Sequence, residues 1–243
     1  MQDAAVAREP AGAAPRRLPG WSAQTLIVLR KDLMIEARTG EVVVTSGFFA
    51  VLVVVLASLS LFGGPASARL VASGVIWLSV TFAAVLALGK SWQREREEGA
   101  LDGLIVAPLS RSALFVGKAL GILTFLLLIS AVVIPLTALF FSLDLGRYGL
   151  GLALIALVAL PGVAAAGTLF GAMTVRTGAR DLLLAIVLFP LVSPTLLAAV
   201  AGTRELFTGA PLSELGDYFR LMGVFDVVFT AGGVGLFGTL VER

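Results

Sequence analysis

The chain of 243 residues contains no cysteine and no histidine. Without cysteine it cannot form disulfides, thiolate metal sites or thiol-based active sites. Without histidine it also lacks the imidazole that supplies many zinc ligands and the usual axial ligands of haem, so that only methionine and tyrosine remain as weaker ligands. We therefore expect no metal site and no catalytic residue in this chain.

Charged residues are scarce as well, at 14% of the chain, whereas 58% of the residues are hydrophobic. The mean hydropathy is +0.99, and several apolar runs reach about 20 residues, the length needed to cross the hydrocarbon core of a bilayer. The net charge of +2 is too small to indicate nucleic-acid binding. The composition predicts an all-α membrane protein that crosses the bilayer several times.

Six apolar segments are long enough to span the membrane as helices. We predict them at residues 42–62, 70–88, 113–141, 149–173, 182–201 and 221–241. Four prolines, Pro135, Pro161, Pro190 and Pro194, fall inside these segments, where they bend helices and release backbone carbonyls. We favour a role in helix shape for them over a role in transport.

The amino-terminal region precedes the first span. Residues 1–20 are rich in Ala, Pro, Gly and Arg without apolar periodicity, which predicts a disordered cytoplasmic tail. Two sets of residues then recur at helical spacing between 23 and 38, an apolar set of Leu26, Leu29, Leu33 and Ala37 and a charged set of Lys31, Asp32, Glu36 and Arg38. This segment is too short and too charged to span, so we predict a helix along the membrane interface that ends at Gly40.

A charged stretch separates the second and third spans. It contains Lys90, Arg94, Glu95, Arg96, Glu97, Glu98 and Asp102 within thirteen residues. On a helix, Glu95, Glu98 and Asp102 share one face while Leu101 and Leu104 lie on another, which predicts a short amphipathic helix outside the membrane. Such a stretch is either a solvated connection or an element that docks into a groove of a soluble partner, and we favour docking.

The tripeptide Gly89, Lys90 and Ser91 matches the end of a phosphate-binding loop. The motif also needs a glycine five positions earlier, where this chain has Ala84, and it must follow a buried strand rather than an apolar helix. We therefore reject nucleotide binding by this chain. Any energy from ATP must come from a partner.

The distribution of Lys and Arg predicts the orientation. Of the 18 basic residues, 14 lie in the amino-terminal region, in the connections after spans two and four, and at the carboxy terminus. Only Arg69, Arg147, Arg204 and Arg220 lie on the opposite side. The positive-inside rule thus places both termini and the charged stretch in the cytoplasm.

The segment before the sixth span is amphipathic. Leu212, Leu215, Phe219 and Met222 form a helical stripe, while Glu214 and Asp217 face away. We predict a short external amphipathic helix here. Asp226 follows about one turn inside the sixth span, where it is either a functional intramembrane group or a side chain that reaches the external headgroups. The sequence favours neither interpretation.

Glycines recur at spacings that permit close helix packing. Gly117 and Gly121 are four residues apart, as are Gly167 and Gly171, and the sixth span contains Gly232, Gly233, Gly235 and Gly238. These spacings favour a compact bundle of helices.

This plan of spans resembles the exporter-type permease subunits of ABC transporters and, among these, the CcmB family. The resemblance rests on four segments: RKDLMIEARTGE at 30–41, WQREREEGALDGLIVAPLSRSALFVGKALG at 92–121, GTLFGAMTVRTGARDLLLAIVLFPLVSPTLLAAV at 167–200 and FDVVF at 225–229. It covers nearly the whole chain after residue 22, whereas the first twenty residues do not match the family.

The resemblance implies a permease domain over residues 21–243 that forms a homodimer in the bacterial inner membrane. It also implies a cytoplasmic coupling helix that docks on a CcmA-like ATPase, formed here by Glu95, Glu97, Glu98, Gly99, Leu101, Asp102 and Leu104. Further expected partners are CcmC-, CcmD- and CcmE-like proteins. ATP would then be bound by the ATPase and haem by partner subunits, with no cofactor in this chain.

Three functions are compatible with the sequence. The first is a permease subunit of a haem export system for cytochrome c maturation. The second is an exporter permease for a drug, lipid or glycan, which has the same plan of spans. The third is an assembly module that scaffolds a haem-handling complex without transporting anything itself. The motif segments favour the first over the second, and the sequence does not separate the first from the third.

The predicted orientation can be tested by thiol labelling, because the natural chain has no cysteine. We expect Ser213→Cys to react with a membrane-impermeant thiol reagent in intact cells and Ser112→Cys to react only after the cells are opened. The opposite pattern would place the charged stretch outside the cytoplasm and contradict the assignment.

Overall fold

The computed structural model describes residues 19–60, 65–97, 103, 109–177 and 181–242. Within these ranges the chain is helical and contains no β-strand. The helices are α1 (Trp21–Thr39), α2 (Glu41–Ser60), α3 (Pro65–Glu97), α4 (Arg111–Phe140), α5 (Leu145–Thr177), α6 (Asp181–Thr208) and α7 (Gly216–Glu242), with a short 3-10 helix at Leu212–Leu215.

Among the residues described, six helical segments are long and apolar enough to cross a membrane, which confirms the predicted number. They are Glu41–Ser60, Ser67–Glu95, Arg111–Phe140, Leu145–Met173, Ile186–Thr208 and Leu212–Leu240. Pro135 lies inside α4, Pro161 inside α5, and Pro190 and Pro194 inside α6. Residues 1–18 lie outside the described ranges, so the predicted tail stays a prediction.

Helices α3 and α5 form the centre of the bundle, because small side chains let their neighbours approach closely. A Cβ atom at Gly167 of α5 would clash with the Leu88 side chain of α3, and one at Gly171 would clash with the indole of Trp92. Leu88 and Trp92 are in turn almost fully buried. The glycine spacing in α5 therefore permits the close packing that the sequence predicts.

Glycines allow close contacts at two further helix pairs. A Cβ at Gly117 of α4 would lie 2.7 Å from Cβ of Val28 in α1, and a Cβ at Gly233 of α7 would clash with the ring of Phe115 in α4. By contrast, no described atom lies within 4 Å of a Cβ built at Gly232 or Gly235. The close approach predicted for α7 thus occurs at one glycine of the cluster and not along the whole of it.

The charged stretch differs from the prediction in its first part. Helix α3 continues without a break from the apolar span through Lys90 and Arg94 to Glu97, because nothing in this part of the sequence ends a helix. The stretch therefore begins as an extension of the spanning helix and not as a separate element. A coupling helix beyond Glu97 falls largely outside the described residues.

The predicted external helix before the sixth span is wrong as a separate element. Helix α6 runs on to Thr208, the chain turns at Gly209 with a φ of +100°, and only the four-residue 3-10 helix precedes α7. The predicted apolar stripe is confirmed, since Leu215 and Met222 are buried and Phe219 packs against the core. This stripe stabilises the start of α7 itself.

We expect Gly117→Ala to destabilise the protein by about 1 to 3 kcal/mol, because the added methyl group would lie 2.9 Å from the Thr25 carbonyl oxygen, which is backbone and cannot move aside. Gly47→Ala is a matched control, since nothing lies within 4 Å of a Cβ there and alanine favours a helix. Thermal unfolding in detergent measures both. Equal midpoints for the two variants would show that α1 is not packed tightly against α4.

Candidate functional site

The candidate site lies where the charged end of α3 meets α1, α2 and α4. It begins with the turn between α1 and α2, where Gly40 adopts the left-handed conformation with a φ of +62°, as the sequence predicts. The Gly40 amide donates a hydrogen bond of 2.7 Å to the Glu36 carbonyl. The Glu36 carboxylate accepts a 2.7 Å hydrogen bond from the Val43 amide, so that a side chain of α1 caps the first turn of α2.

Four charged residues form a buried group that we call the inner cluster: Lys31 and Asp32 of α1, Glu95 of α3 and Lys118 of α4. Oε1 of Glu95 accepts hydrogen bonds from Nζ of Lys118 and, at 2.7 Å, from Nζ of Lys31. Nζ of Lys118 also lies 3.0 Å from Oδ2 of Asp32. Two cations and two anions thus neutralise one another and join three helices.

Because the charges of Lys118 and Glu95 are buried, their ion pairs strongly constrain the positions of the helices. The side chains of Lys118 and Glu95 are only 3% and 5% exposed, so each charge has lost most of its hydration. A buried charge is tolerated when it is paired, and removing one partner leaves the other charge buried without compensation. The inner cluster therefore fixes the position of α3 relative to α1 and α4 at the base of the charged stretch.

Lys31 lies on α1, outside the six candidate spans. Burial lowers the pKa of Lys31, but the carboxylates of Asp32 and Glu95 outweigh this effect and raise the pKa above its ordinary value. The stability that this lysine contributes is therefore fully present at neutral pH. It is lost only when the pH rises through the raised pKa.

A second group of charges, the outer cluster, consists of Glu36, Glu41, Lys90 and Arg94. Nη2 of Arg94 donates hydrogen bonds to Glu41 at 3.1 Å and to the Thr39 hydroxyl at 3.2 Å. Nζ of Lys90 lies 3.1 Å from Oε1 of Glu41. Because Lys90 and Glu41 are 37% and 49% exposed, their pair contributes much less to stability than the inner cluster does.

Trp92 connects the inner cluster to α5. Nζ of Lys118 lies 5.8 Å from the centre of the Trp92 ring, within the range of a cation–π contact. On α5, Gly171 lies against the indole of Trp92, and any side chain at this position would clash with the indole. A displacement of the end of α3 therefore changes its contacts with α1, α4 and α5.

The structure describes the predicted coupling residues only in part. Glu95 points into the bundle, where its carboxylate joins the inner cluster, so that it does not offer a free charge for docking. Glu97 is the last residue of α3. The remaining five, Glu98, Gly99, Leu101, Asp102 and Leu104, lie outside the described residues. A docking role for this segment stays a prediction.

The sequence did not identify the partners of Glu95. Lys118 stands alone in the apolar sequence of α4, and an unmatched charge in such a helix indicates a buried partner. Which carboxylate is its partner depends on how α1, α3 and α4 pack, and the sequence contains no signal for that choice.

Asp226 lies in α7, within the sixth candidate span. It is ten residues from the start of α7, or about 15 Å along the axis, and at the midpoint of the apolar segment Leu212–Leu240. Its Oδ1 is buried without a hydrogen-bond partner among the described residues and packs against Gly162 of α5, where a Cβ would clash with it. Both interpretations of Asp226 stay predictions.

No group of three or more acidic side chains among the described residues is arranged to hold a metal ion. The carboxylates of the inner cluster are instead paired with lysines. What this site can do is mechanical: it holds the first turns of the charged stretch in a fixed relation to three other helices.

We expect Lys118→Met to destabilise the protein by about 3 to 5 kcal/mol, because it leaves the buried Glu95 with one cation fewer. Lys90→Met is the matched control, in which an exposed pair is broken, and it should cost no more than about 1 kcal/mol. Thermal unfolding in detergent separates the two. The double variant Lys118→Met with Glu95→Met should recover part of the loss, and additive losses would contradict a direct pair.

Comparison with known proteins identifies the family. The family model described as "CcmB protein" matches residues 23–233. Heme exporter protein B of Rhodobacter capsulatus is 33% identical over 196 residues, which cover 77% of this chain and 88% of that protein. Heme exporter protein B of Bradyrhizobium diazoefficiens is 28% identical over 203 residues, which cover 83% and 89% of the two chains. The chain belongs to the CcmB family.

Proposed function

We propose that this protein is the membrane permease subunit of an ABC-type haem export system that serves cytochrome c maturation. The relatives named heme exporter protein B support the haem system. The observation that carries a coupling role is the inner cluster, because it ties the last described turns of α3 to α1 and α4 immediately before the segment predicted to meet an ATPase.

In this proposal a CcmA-like ATPase docks on the segment from Glu97 to Leu104. ATP hydrolysis in the partner displaces this segment, and α3 moves with it as a continuous helix up to the bilayer. Glu95 passes the displacement to Lys118 on α4 and to Lys31 on α1. The inner cluster thus serves to convert a local contact into a movement of several spans.

Haem is the cargo of the system in this proposal and is held by CcmC- and CcmE-like partners, with a CcmD-like protein and a second copy of this chain completing the complex. Two of the Met and Tyr side chains in this chain support that division. The Tyr148 hydroxyl is buried and donates to the Phe207 carbonyl at 3.4 Å, and Met222 is fully buried. Neither side chain faces open space where an iron porphyrin fits.

One observation favours the alternative of a lipid-like cargo. A groove of about 550 Å³ lies between α2, α3 and α6 and is lined almost wholly by apolar side chains, among them Leu78, Phe189 and Leu197. Trp77 closes its floor and donates a 2.8 Å hydrogen bond to Thr203. Such a groove suits an acyl chain, but it is equally the kind of surface that a neighbouring helix or bulk lipid covers.

The proposal is tested by purifying the tagged protein from native membranes and identifying what remains bound. We expect an ATPase and haem-handling subunits to copurify, and Leu101→Asp to lose the ATPase, because burial of this leucine in a groove contributes about 1.5 to 3 kcal/mol. Leu101→Ile keeps the apolar contact and is the matched control. Retention of the ATPase by Leu101→Asp would disprove the docking role, and a lipid-exporting complex without haem proteins would favour the alternative.

A further inference from the structure

The face of α1 that points away from the bundle carries both apolar and basic side chains. Ile27, Arg30, Met34 and Arg38 follow one another at intervals of three, four and four residues, so that they share one side of the helix. All four are exposed, Ile27 at 52% and Met34 at 44%. We call these four residues the basic-apolar surface. It borders a groove of about 470 Å³.

The positive charge of this surface is not compensated within the described part of the chain. The acidic residues of α1, Asp32 and Glu36, face the other way, toward Lys118 and the Val43 amide. No described carboxylate forms an ion pair with Arg30 or Arg38. Two guanidinium groups therefore lie beside two apolar side chains, and no carboxylate of the described residues lies between them.

The fold holds this surface at the membrane boundary. Gly40 alone separates α1 from α2, and α2 is a spanning segment from its first residue, Glu41. Leu26, 62% exposed, lies beside the basic-apolar surface and extends its apolar side. Helix α1 is also packed closely against α4 at Gly117, so that its outward side has a fixed direction relative to the spans.

We propose that the basic-apolar surface binds the headgroup of an anionic phospholipid in the cytoplasmic leaflet. The guanidinium groups of Arg30 and Arg38 donate hydrogen bonds to the phosphate oxygens, for which the planar donor fork of arginine is well suited. Ile27 and Met34 contact the first methylene groups of the acyl chains. The cytoplasmic leaflet carries the anionic lipids that such basic segments attract.

A lipid accounts for the composition of the surface better than a soluble anion does. A site for free phosphate has no use for the exposed apolar side chains of Ile27 and Met34. The inference rests on the cytoplasmic position of α1 that the charge distribution predicts. It does not depend on which cargo the complex handles.

The test uses the full-length protein purified in a mild neutral detergent and supplied with equal amounts of phosphatidylglycerol and phosphatidylcholine. Bound lipid is counted by native mass spectrometry. We expect a preference for phosphatidylglycerol of roughly thirtyfold, the order of magnitude that two cations near an anionic surface produce. Arg30→Gln with Arg38→Gln should abolish the preference, whereas Arg30→Lys with Arg38→Lys should retain most of it because the charge remains.

The matched control is Arg204→Gln with Arg220→Gln, which removes two exposed arginines from the other end of the bundle and should leave the preference unchanged. Equal loss in this control, or equal binding of both lipids by the natural protein, would overturn the proposal. Inorganic phosphate that displaces the bound phosphatidylglycerol at millimolar concentration would also overturn it in favour of a soluble anion.

The lipid test and the test of the proposed function can give independent results. The Arg30→Gln and Arg38→Gln variant should still copurify with the ATPase, since neither residue belongs to the predicted docking segment. Its thermal unfolding in detergent with phosphatidylcholine alone should match that of the natural protein, because both side chains are exposed. A midpoint lowered in phosphatidylcholine as well would mean that these arginines stabilise the fold and not a lipid contact, which would count against the proposal.

Discussion

The pairing of buried charges at the base of α3 is the constraint on which the rest of this arrangement depends. Lys118 and Glu95 are each almost fully buried, and a charge in such surroundings is tolerated only when an opposite charge is held against it. The two residues come from helices that are separated by the charged stretch. Their pairing therefore decides how α3 and α4 emerge from the bundle, and Lys31 and Asp32 extend the same constraint to α1.

Glycines contribute to the same arrangement, because they determine how closely the helices approach one another. Glycine at 117 lets α1 approach α4 closely enough for Asp32 to reach Lys118, and glycine at 171 makes room for the indole of Trp92 beside the same lysine. Packing without voids and charge pairing thus act on the same pairs of helices. The coupling role proposed above needs such a rigid junction, because a loose contact absorbs the displacement.

Helix α1 has two different sides for two different environments. Its inward side, with Thr25, Val28, Asp32 and Glu36, contacts the bundle, whereas Arg30 and Arg38 are exposed on the outward side. This arrangement resolves an apparent conflict in the sequence, where leucines and charges alternate along a helix too polar to span. Three of the charges, those of Lys31, Asp32 and Glu36, are paired with groups on other helices, and the other two are exposed.

The sequence by itself determined the number of spans, the end of α1 at Gly40 and the close packing at Gly167 and Gly171, because each depends on local properties: apolar length, backbone freedom and residue size. It also contained the motifs that mark the CcmB family. The partners of Lys118 and the continuity of α3 through Glu97 were decided only by the tertiary structure. These features depend on which helix faces which, and residues as far apart as Asp32, Glu95 and Lys118 meet only once the bundle has formed.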